Sequence, residues 1–137
     1  MSKATPLDEE YIYDGSAIIT QTDLQGIITY ANRSFSQASA YSVESVIGKE
    51  HNIIRHPDMP KIVFEKMWTT IQSGQAYNGI IKNIRKDGKF YWIDIEILPI
   101  RDDTDTITGY IAVAKAASRQ DILENEMTYK KMLETQK

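Results

Sequence analysis

The sequence contains no cysteine among its 137 residues. Disulfide bonds, thiolate metal sites, a cysteine nucleophile and light sensing through a covalent cysteine adduct are therefore excluded. Long apolar runs are also absent, because no run approaches the roughly 18 to 20 residues needed to cross a bilayer. Residues 1–4 lack the apolar stretch that opens a signal peptide. We expect a protein of the cytoplasm that has no membrane span of its own.

An excess of positive charge is missing as well. Sixteen Lys and Arg residues stand against nineteen Asp and Glu residues, which gives a net charge of −3. Such a chain produces no long-range positive field to attract a nucleic-acid backbone. Only 7 glycines and 4 prolines occur beside 42% hydrophobic residues, which argues against disorder and low complexity. The length fits one compact domain that does not bind nucleic acid.

The common catalytic signatures are absent too. The sequence has no nucleophile elbow, no glycine-rich phosphate loop, no His-Glu-x-x-His pair and no zinc deaminase motif. Asp94 and Glu96 share one face of a predicted strand, but the exposed face of a sheet explains them better than a catalytic pair does. An oxidoreductase is also disfavoured, because no pyridine-nucleotide fingerprint is present. We do not expect an enzyme.

The first half of the chain predicts a hairpin followed by helices. Two β-rich runs, residues 17–20 and 27–31, surround a turn with a glycine, and Asn32 is placed to cap a short helix. The polar residues 51–60 contain two prolines and end where Asp58 is expected to cap the next helix. The apolar face of that helix consists of Val63, Phe64, Met67, Trp68 and Ile71.

The second half predicts three extended runs, residues 77–85, 90–100 and 107–116, and a helix over residues 121–136. The fold class is therefore α+β, with a five-stranded antiparallel sheet assembled from both ends of the chain and short helices covering one face. An N-terminal leader and a C-terminal helix flank this unit. The apolar stripe expected on the C-terminal helix consists of Ile122, Leu123, Met127, Met132 and Leu133.

A polar loop before the third helix is the first candidate site. It gathers His51, Arg55, His56 and Asp58 just ahead of a helix N-terminus, where cationic donors could hold a pyrophosphate or a polar ring edge. The alternative is structural: a capping aspartate, a surface arginine and exposed histidines. One axial imidazole is enough to hold an iron porphyrin, so a heme site is a second alternative.

Asparagine inside a strand is the second candidate. Asparagine is depleted in strands, so Asn83, if it faces inward, needs a partner that both donates and accepts, such as a flavin or pterin edge. If it faces water, this argument disappears. Asn32 allows the same two interpretations, with helix capping the stronger. Four aromatic residues could stack on a planar cofactor or simply form core, namely Trp68, Tyr77, Tyr91 and Trp92.

The order of two strands, short helices and three strands resembles the PAS fold, a common sensory module. The motifs look like the PAS domain of the Aer-type aerotaxis and redox-taxis (energy taxis) receptors, over roughly residues 12–118. The residues that carry the resemblance are 51–61 (His-Asn-Ile-Ile-Arg-His-Pro-Asp-Met-Pro-Lys), Phe64, Met67, Trp68, Gly74, Gly79, Ile80, Lys82, Asn83, Arg85, Lys86, 22–25, Ile28, Thr29, Ala31, Asn32, Tyr91, Trp92, Gly109 and Tyr110.

This resemblance implies a domain that binds FAD non-covalently and reports redox or oxygen status to a chemotaxis signalling partner. It divides the chain into a leader (1–14), a PAS sensor domain (15–118) and a signalling or linker helix (119–137). Tyr77 stands where the family more usually has Trp. The resemblance places the cofactor-binding block at His51, Arg55, His56 and Asp58, the flavin-contacting strand at Asn83, and the remaining candidate cofactor-binding residues at Asn32, Trp68, Tyr77 and Trp92.

The receptors of this family continue into a membrane anchor and a signalling domain. The chain is therefore expected to be either an excised domain or a separate subunit that pairs with a chemotaxis transducer or a HAMP-type signalling domain. A homodimer through the PAS surface or the C-terminal helix is a further expectation. Two alternatives on the same fold are a heme-binding gas sensor, with His51 or His56 as axial ligand, and a cofactor-free dimerisation module.

Overall fold

The structure is a computed structural model that describes residues 3–136; the ends of the predicted leader and C-terminal helix, residues 1–2 and 137, lie outside it. The five strands pair antiparallel in the order β2-β1-β5-β4-β3, so strands from both halves of the chain meet in the middle of the sheet. The α+β fold class is confirmed. The elements are β1 (Ile18–Thr22), β2 (Ile28–Ala31), α1 (Arg33–Ser39), α2 (Val43–Val46), a 3-10 turn (His51–Ile54), α3 (Lys61–Gln72), β3 (Tyr77–Ile84), β4 (Phe90–Arg101), β5 (Ile107–Ala116) and α4 (Arg119–Thr135).

Both faces of the sheet are partly covered. On β4, Ile93, Ile95 and Ile97 are buried on one face while Glu96 on the other is exposed, as the alternation predicts. Trp92 departs from this pattern: it lies on the same face as Glu96, yet it is buried. The ring of Tyr129 from α4 stacks on it with the centroids 6.4 Å apart, so α4 shields this part of the face from water.

The start of α3 differs from its prediction. Asp58 does not cap the helix: Pro60 occupies the N-cap position without a side-chain bond, and the Asp58 carboxylate lies 3.1 Å from Lys82 Nζ. Asp58 is two residues ahead of the cap, in a turn closed by the bond from the Met59 amide to His56 O, and its carboxylate reaches the neighbouring strand instead. The backbone amide of Lys61 donates to the side-chain oxygen of Gln136 over 2.8 Å, which supplies the missing acceptor.

The packed face of α4 also differs from the predicted stripe. Ile122 and Tyr129 are buried, whereas Leu123 and Met127 are 61% and 64% exposed. Positions 122 and 129 lie two helical turns apart on one face, and residues 123 and 127 are rotated away from it. Tyr129 completes this face because its hydroxyl donates to the carbonyl of Ile80 over 2.5 Å. No helix within residues 3–136 is long and apolar enough to span a membrane.

The N-terminal leader lies along the start of β4. The amide of Leu7 donates to Gly88 O over 2.9 Å, the amide of Phe90 donates to Glu9 O over 3.0 Å, and the amide of Tyr11 donates to Phe90 O over 2.7 Å. β5 pairs only as far as Ile93, so the leader continues the sheet where β5 has ended. The Glu10 carboxylate also accepts two bonds from Arg119 at the start of α4. The leader and α4 both pack against the predicted sensor domain, residues 15–118. The domain boundaries at residues 14 and 118 stay predictions.

Two glycines with the same backbone conformation offer a matched test. Gly26 and Gly48 have φ of +83° and +85°, but a Cβ on Gly26 would lie 2.9 Å from the Trp68 ring, whereas one on Gly48 would meet nothing within 4 Å. We expect Gly48→Ala to cost about 1–2 kcal/mol for the left-handed backbone alone. Gly26→Ala should cost about 1–3 kcal/mol more for the overpacking. Equal losses of unfolding free energy in urea would contradict the Gly26–Trp68 contact.

Candidate functional site

A cavity of about 840 Å³ lies between the sheet, α3 and the segment 50–55. Its size is within the roughly 300–1,000 Å³ of small-molecule sites. The apolar walls come from the sheet and α3, and include Ile54, Phe64, Met67, Trp68, Ile71, Ile81, Ile93, Ile95, Ile97, Tyr110 and Ala112. The polar lining includes Thr20, Thr22, Gln25, Glu50, His51, Asn52, Arg55, Lys61, Glu65, Thr69, Gln72 and Asn83. An apolar slot with polar groups is suited to a planar organic ligand with a polar edge.

His51 is held at the cavity wall by two different contacts. Its backbone amide donates to Gly26 O over 3.1 Å, and its ring atom Nε2 lies 3.0 Å from Thr20 Oγ1. Burial lowers the pKa of His51 to about 4, and the positive charge of Arg55 acts in the same direction. The imidazole is therefore neutral at pH 7 and offers hydrogen bonds rather than charge.

Arg55 brings a cation to the same part of the cavity. Its guanidinium carbon lies 3.6 Å from the centre of the Phe64 ring, and its backbone pairs with Asn83 of β3. Burial lowers the pKa of Arg55, and Glu50 opposes that shift. Within residues 3–136, Arg55 Nε is the buried side-chain nitrogen or oxygen left without a hydrogen-bond partner. Because such a group is costly to leave unpaired, the site is incomplete without an acceptor.

Asn83 faces inward. It is 4% exposed and borders the cavity beside Ile81, which resolves the two interpretations of its sequence position. Its register partner on β4 is Tyr91, which is 1% exposed. Burial raises the pKa of Tyr91, and the neighbouring Asn83 side chain opposes that shift. Asn83 therefore lies between the cavity and a buried tyrosine.

Trp68 supplies an aromatic wall. Its ring borders the cavity and contacts Tyr110 edge to face, with centroids 5.8 Å apart. On its other side the ring packs against Gly26 in the turn between β1 and β2. These contacts fix the orientation of the indole, so a planar ligand would meet a preformed surface.

Asn32 is not part of the cavity lining and instead caps the first helix. Its side-chain oxygen accepts from the amides of Phe35, at 3.0 Å, and Ile19, at 3.1 Å. Its side-chain nitrogen donates to Ala17 O over 2.9 Å. Asn32 caps α1 and ties it to β1, and these bonds use both ends of the amide.

His56 and Asp58 are also placed outside the cavity lining. His56 is 3% exposed, its Nδ1 accepts from the amide of Asp58 over 3.0 Å, and its ring lies edge-on to Phe90. Burial lowers the pKa of His56, and Lys82 adds to the effect. The backbone at Arg55 is extended, so adjacent side chains point to opposite sides and only Arg55 enters the cavity.

Tyr77 and Trp92 lie away from the cavity for different reasons. The Tyr77 ring folds along its own strand, where its hydroxyl lies 2.8 Å from the position a Cβ on Gly79 would take. Trp92 is an even-numbered position of β4, whose odd-numbered neighbours face the cavity, so it meets Tyr129 on the other face. Of the nine candidate residues, the structure brings His51, Arg55, Trp68 and Asn83 together.

Sequence reasoning missed several cavity residues. Thr20 and Thr22 occupy alternate positions of β1 and point inward, a pattern that strand periodicity alone could have revealed. The helical spacing places Phe64 on the apolar face of α3, and nothing in the sequence distinguishes a core phenylalanine from one that stacks under an arginine. Tyr110 is named in the sequence analysis only as part of the family motif, and no sequence pattern identifies it as a cavity residue.

The partly buried, neutral His51 predicts a pH dependence of stability. Its pKa is about 4 in the folded chain and about 6.5 when unfolded. The unfolded chain therefore binds the extra proton, and the unfolding free energy falls as pH drops from 6.5 towards 4. Between pH 7 and pH 4.5 the contribution is roughly 2 kcal/mol. Urea unfolding should show a smaller pH-dependent loss of unfolding free energy in His51→Gln, and identical losses would contradict a lowered pKa of His51.

Three comparisons place the chain among known proteins. The family model described as the PAS fold matches residues 28–114. The aerotaxis receptor of Escherichia coli (strain K12) is 39% identical over 117 residues, which is 85% of this chain and 23% of the receptor. The chain thus spans about a quarter of that relative's length.

Solved structures agree on the fold. The light-state structure of the blue-light photoreceptor Aureochrome1 LOV superposes with a TM-score of 0.72 at 24% identity, covering 81% of this chain and 91% of that one. A light-oxygen-voltage domain studied with a flavin analogue gives 0.69 at 23% identity, covering 84% and 88%. The chain belongs to the PAS fold family, and its resemblance to the PAS domain of aerotaxis receptors is confirmed.

Proposed function

We propose that this chain is a sensory PAS domain that binds FAD non-covalently and reports redox or oxygen status to a chemotaxis signalling partner. The observation that carries the proposal is the unpartnered, buried Arg55 Nε in a cavity that also presents a neutral His51 and an inward Asn83. These residues together would bind a ligand that has hydrogen-bond acceptors and an edge carrying both donors and acceptors. The isoalloxazine ring of a flavin has both features.

The residues present fit this cofactor in their chemistry. Arg55 would supply a cationic donor to a ring carbonyl or a phosphate, and the Asn83 amide would both donate to and accept from a ring edge. Trp68 and the isoleucines of β4 would enclose the apolar body of the ring. When bound, FAD would supply reversible electron uptake, which changes the hydrogen-bonding pattern of the ring.

A chain of contacts would carry that change outward. The Asn83 amide can exchange its donor and acceptor ends, and its register partner across β3 and β4 is the buried Tyr91. The ring of Tyr91 touches Tyr11 and Tyr13 of the leader edge to face, with centroids 6.5 and 6.3 Å apart. The neighbouring Glu10 is bound to Arg119 of α4, so the leader and α4 would respond together.

The comparisons support a signalling role over an enzymatic one. The receptor from Escherichia coli is named for aerotaxis, and the light-oxygen-voltage structure is described through a flavin analogue. By analogy the partner of this chain would be a chemotaxis transducer or signalling domain in the cytoplasm, and a bound flavin would be a signal rather than a catalyst.

Two alternatives on the same fold are less well supported by the cavity. A heme sensor would need a free histidine nitrogen, but Nε2 of His51 lies 3.0 Å from Thr20 Oγ1 and His56 does not border the cavity. A cofactor-free module would fill its interior with its own side chains, whereas about 840 Å³ is left open here.

An absorption spectrum of the purified chain tests the proposal, with heat release of the chromophore and its identification by chromatography. We expect the blue absorption band of a flavin and released FAD. An intense Soret band would replace the proposal with the heme alternative. A protein that stays colourless after incubation with FAD would overturn it.

Substitution of Arg55 is the most direct test of which residues bind the cofactor. Removing a charged donor to a ligand costs about 1.5–3 kcal/mol, so we expect Arg55→Ala to weaken FAD binding roughly 10- to 150-fold in a fluorescence titration. Arg33→Ala is the matched control, because Arg33 is exposed on α1 and does not border the cavity. Equal affinities of the Arg55→Ala and Arg33→Ala proteins would remove Arg55 from the site.

A further inference from the structure

The contact between Thr20 and His51 assigns a role to a residue outside the predicted set. Thr20 is 3% exposed, lies on β1 and points into the cavity. Its hydroxyl oxygen is 3.0 Å from Nε2 of His51. A buried hydroxyl must find a hydrogen-bond partner, and the imidazole is the side chain that meets it.

The Thr20 hydroxyl can either donate or accept, and Nε2 of a neutral imidazole takes the complementary role according to its tautomer. In either sense the bond orients the ring, because turning the imidazole away would leave the buried Thr20 hydroxyl without a partner.

The backbone and the ring of His51 have separate anchors. The carbonyl of Gly26 accepts from the His51 amide over 3.1 Å. This bond fixes the position of the His51 backbone but does not restrict rotation of its side chain. The bond to Thr20 supplies that restriction. Thr22 points into the same cavity two positions along β1, and the structure gives it no side-chain bond to His51.

We propose that Thr20 is a positioning residue that holds the His51 ring in one orientation at the cavity wall. With Nε2 occupied, His51 would present a fixed, neutral face to a bound ligand and would be withheld from coordinating a metal centre. The part of this inference that concerns the ligand rests on the proposed FAD site. The Thr20–His51 bond itself is a property of the chain alone.

Nitrogen NMR of the histidine rings tests this directly in the ligand-free chain. The sequence has 2 histidines, so His56 serves as an internal reference for the fold. In the wild-type chain at pH 7 we expect the Nε2 signal of His51 to carry the shift of a hydrogen-bonded ring nitrogen. An Nε2 signal typical of a ring nitrogen without a protein partner would overturn the assignment without any variant.

Three variants isolate the hydroxyl. Thr20→Val keeps the side-chain shape and removes the hydroxyl, so the His51 Nε2 signal should shift while the His56 signals stay in place. Thr20→Ser restores a hydroxyl and should restore the wild-type Nε2 signal. Thr22→Val changes the same residue type on the same strand and should leave His51 unchanged. A His51 ring in Thr20→Val that matches the wild-type ring would overturn the proposal.

Measuring the FAD affinity of the wild-type chain and of these variants distinguishes failure of this inference from failure of the proposed function. A loosened His51 should weaken FAD binding by roughly 3- to 10-fold in Thr20→Val, the range for one neutral hydrogen bond, and by less in Thr20→Ser. Unchanged FAD affinity in Thr20→Val would overturn the ligand part of the inference. If the wild-type chain binds no FAD but its His51 ring is ordered as expected, the proposed function fails and the positioning role stands.

Discussion

The cavity depends on the attachment of one short segment to two strands of the sheet. At one end the His51 amide donates to Gly26 O beside β1, and at the other end the backbone of Arg55 pairs with Asn83 of β3. Between these points Ile53 and Ile54 are buried as anchors. The segment therefore cannot collapse onto the sheet, and α3 closes the remaining side. Most of the polar chemistry of the site comes from this attachment.

The sequence allowed the architecture to be predicted, because hydrophobic alternation, turn glycines and helix spacing act locally. The orientation of Asn83 could not be predicted, because Ile80, Ile81 and Ile84 occupy both parities of β3. The structure gives the reason: Ile80 is buried on the second face, where the Tyr129 hydroxyl reaches its carbonyl. When both faces of a strand are covered, alternation loses its information.

The candidate residues outside the cavity have a related explanation. A family motif marks a stretch of sequence, whereas an extended backbone sends neighbouring side chains to opposite sides. Arg55 thus enters the cavity while His56 packs behind it against Phe90. Asn32 and Trp92 hold α1 and α4 in place. The family motif of this chain therefore includes structural residues together with residues that line the cavity.

The central claim is that a flavin occupies the cavity between the inner face of the sheet and α3. Amide chemical shifts of the labelled chain, recorded before and after addition of FAD, test it most directly. The account predicts changes concentrated at His51, Arg55, Asn83 and Trp68, with Trp92 and Leu98 on the opposite face little affected. Changes concentrated on that opposite face, with the cavity residues unmoved, would contradict it.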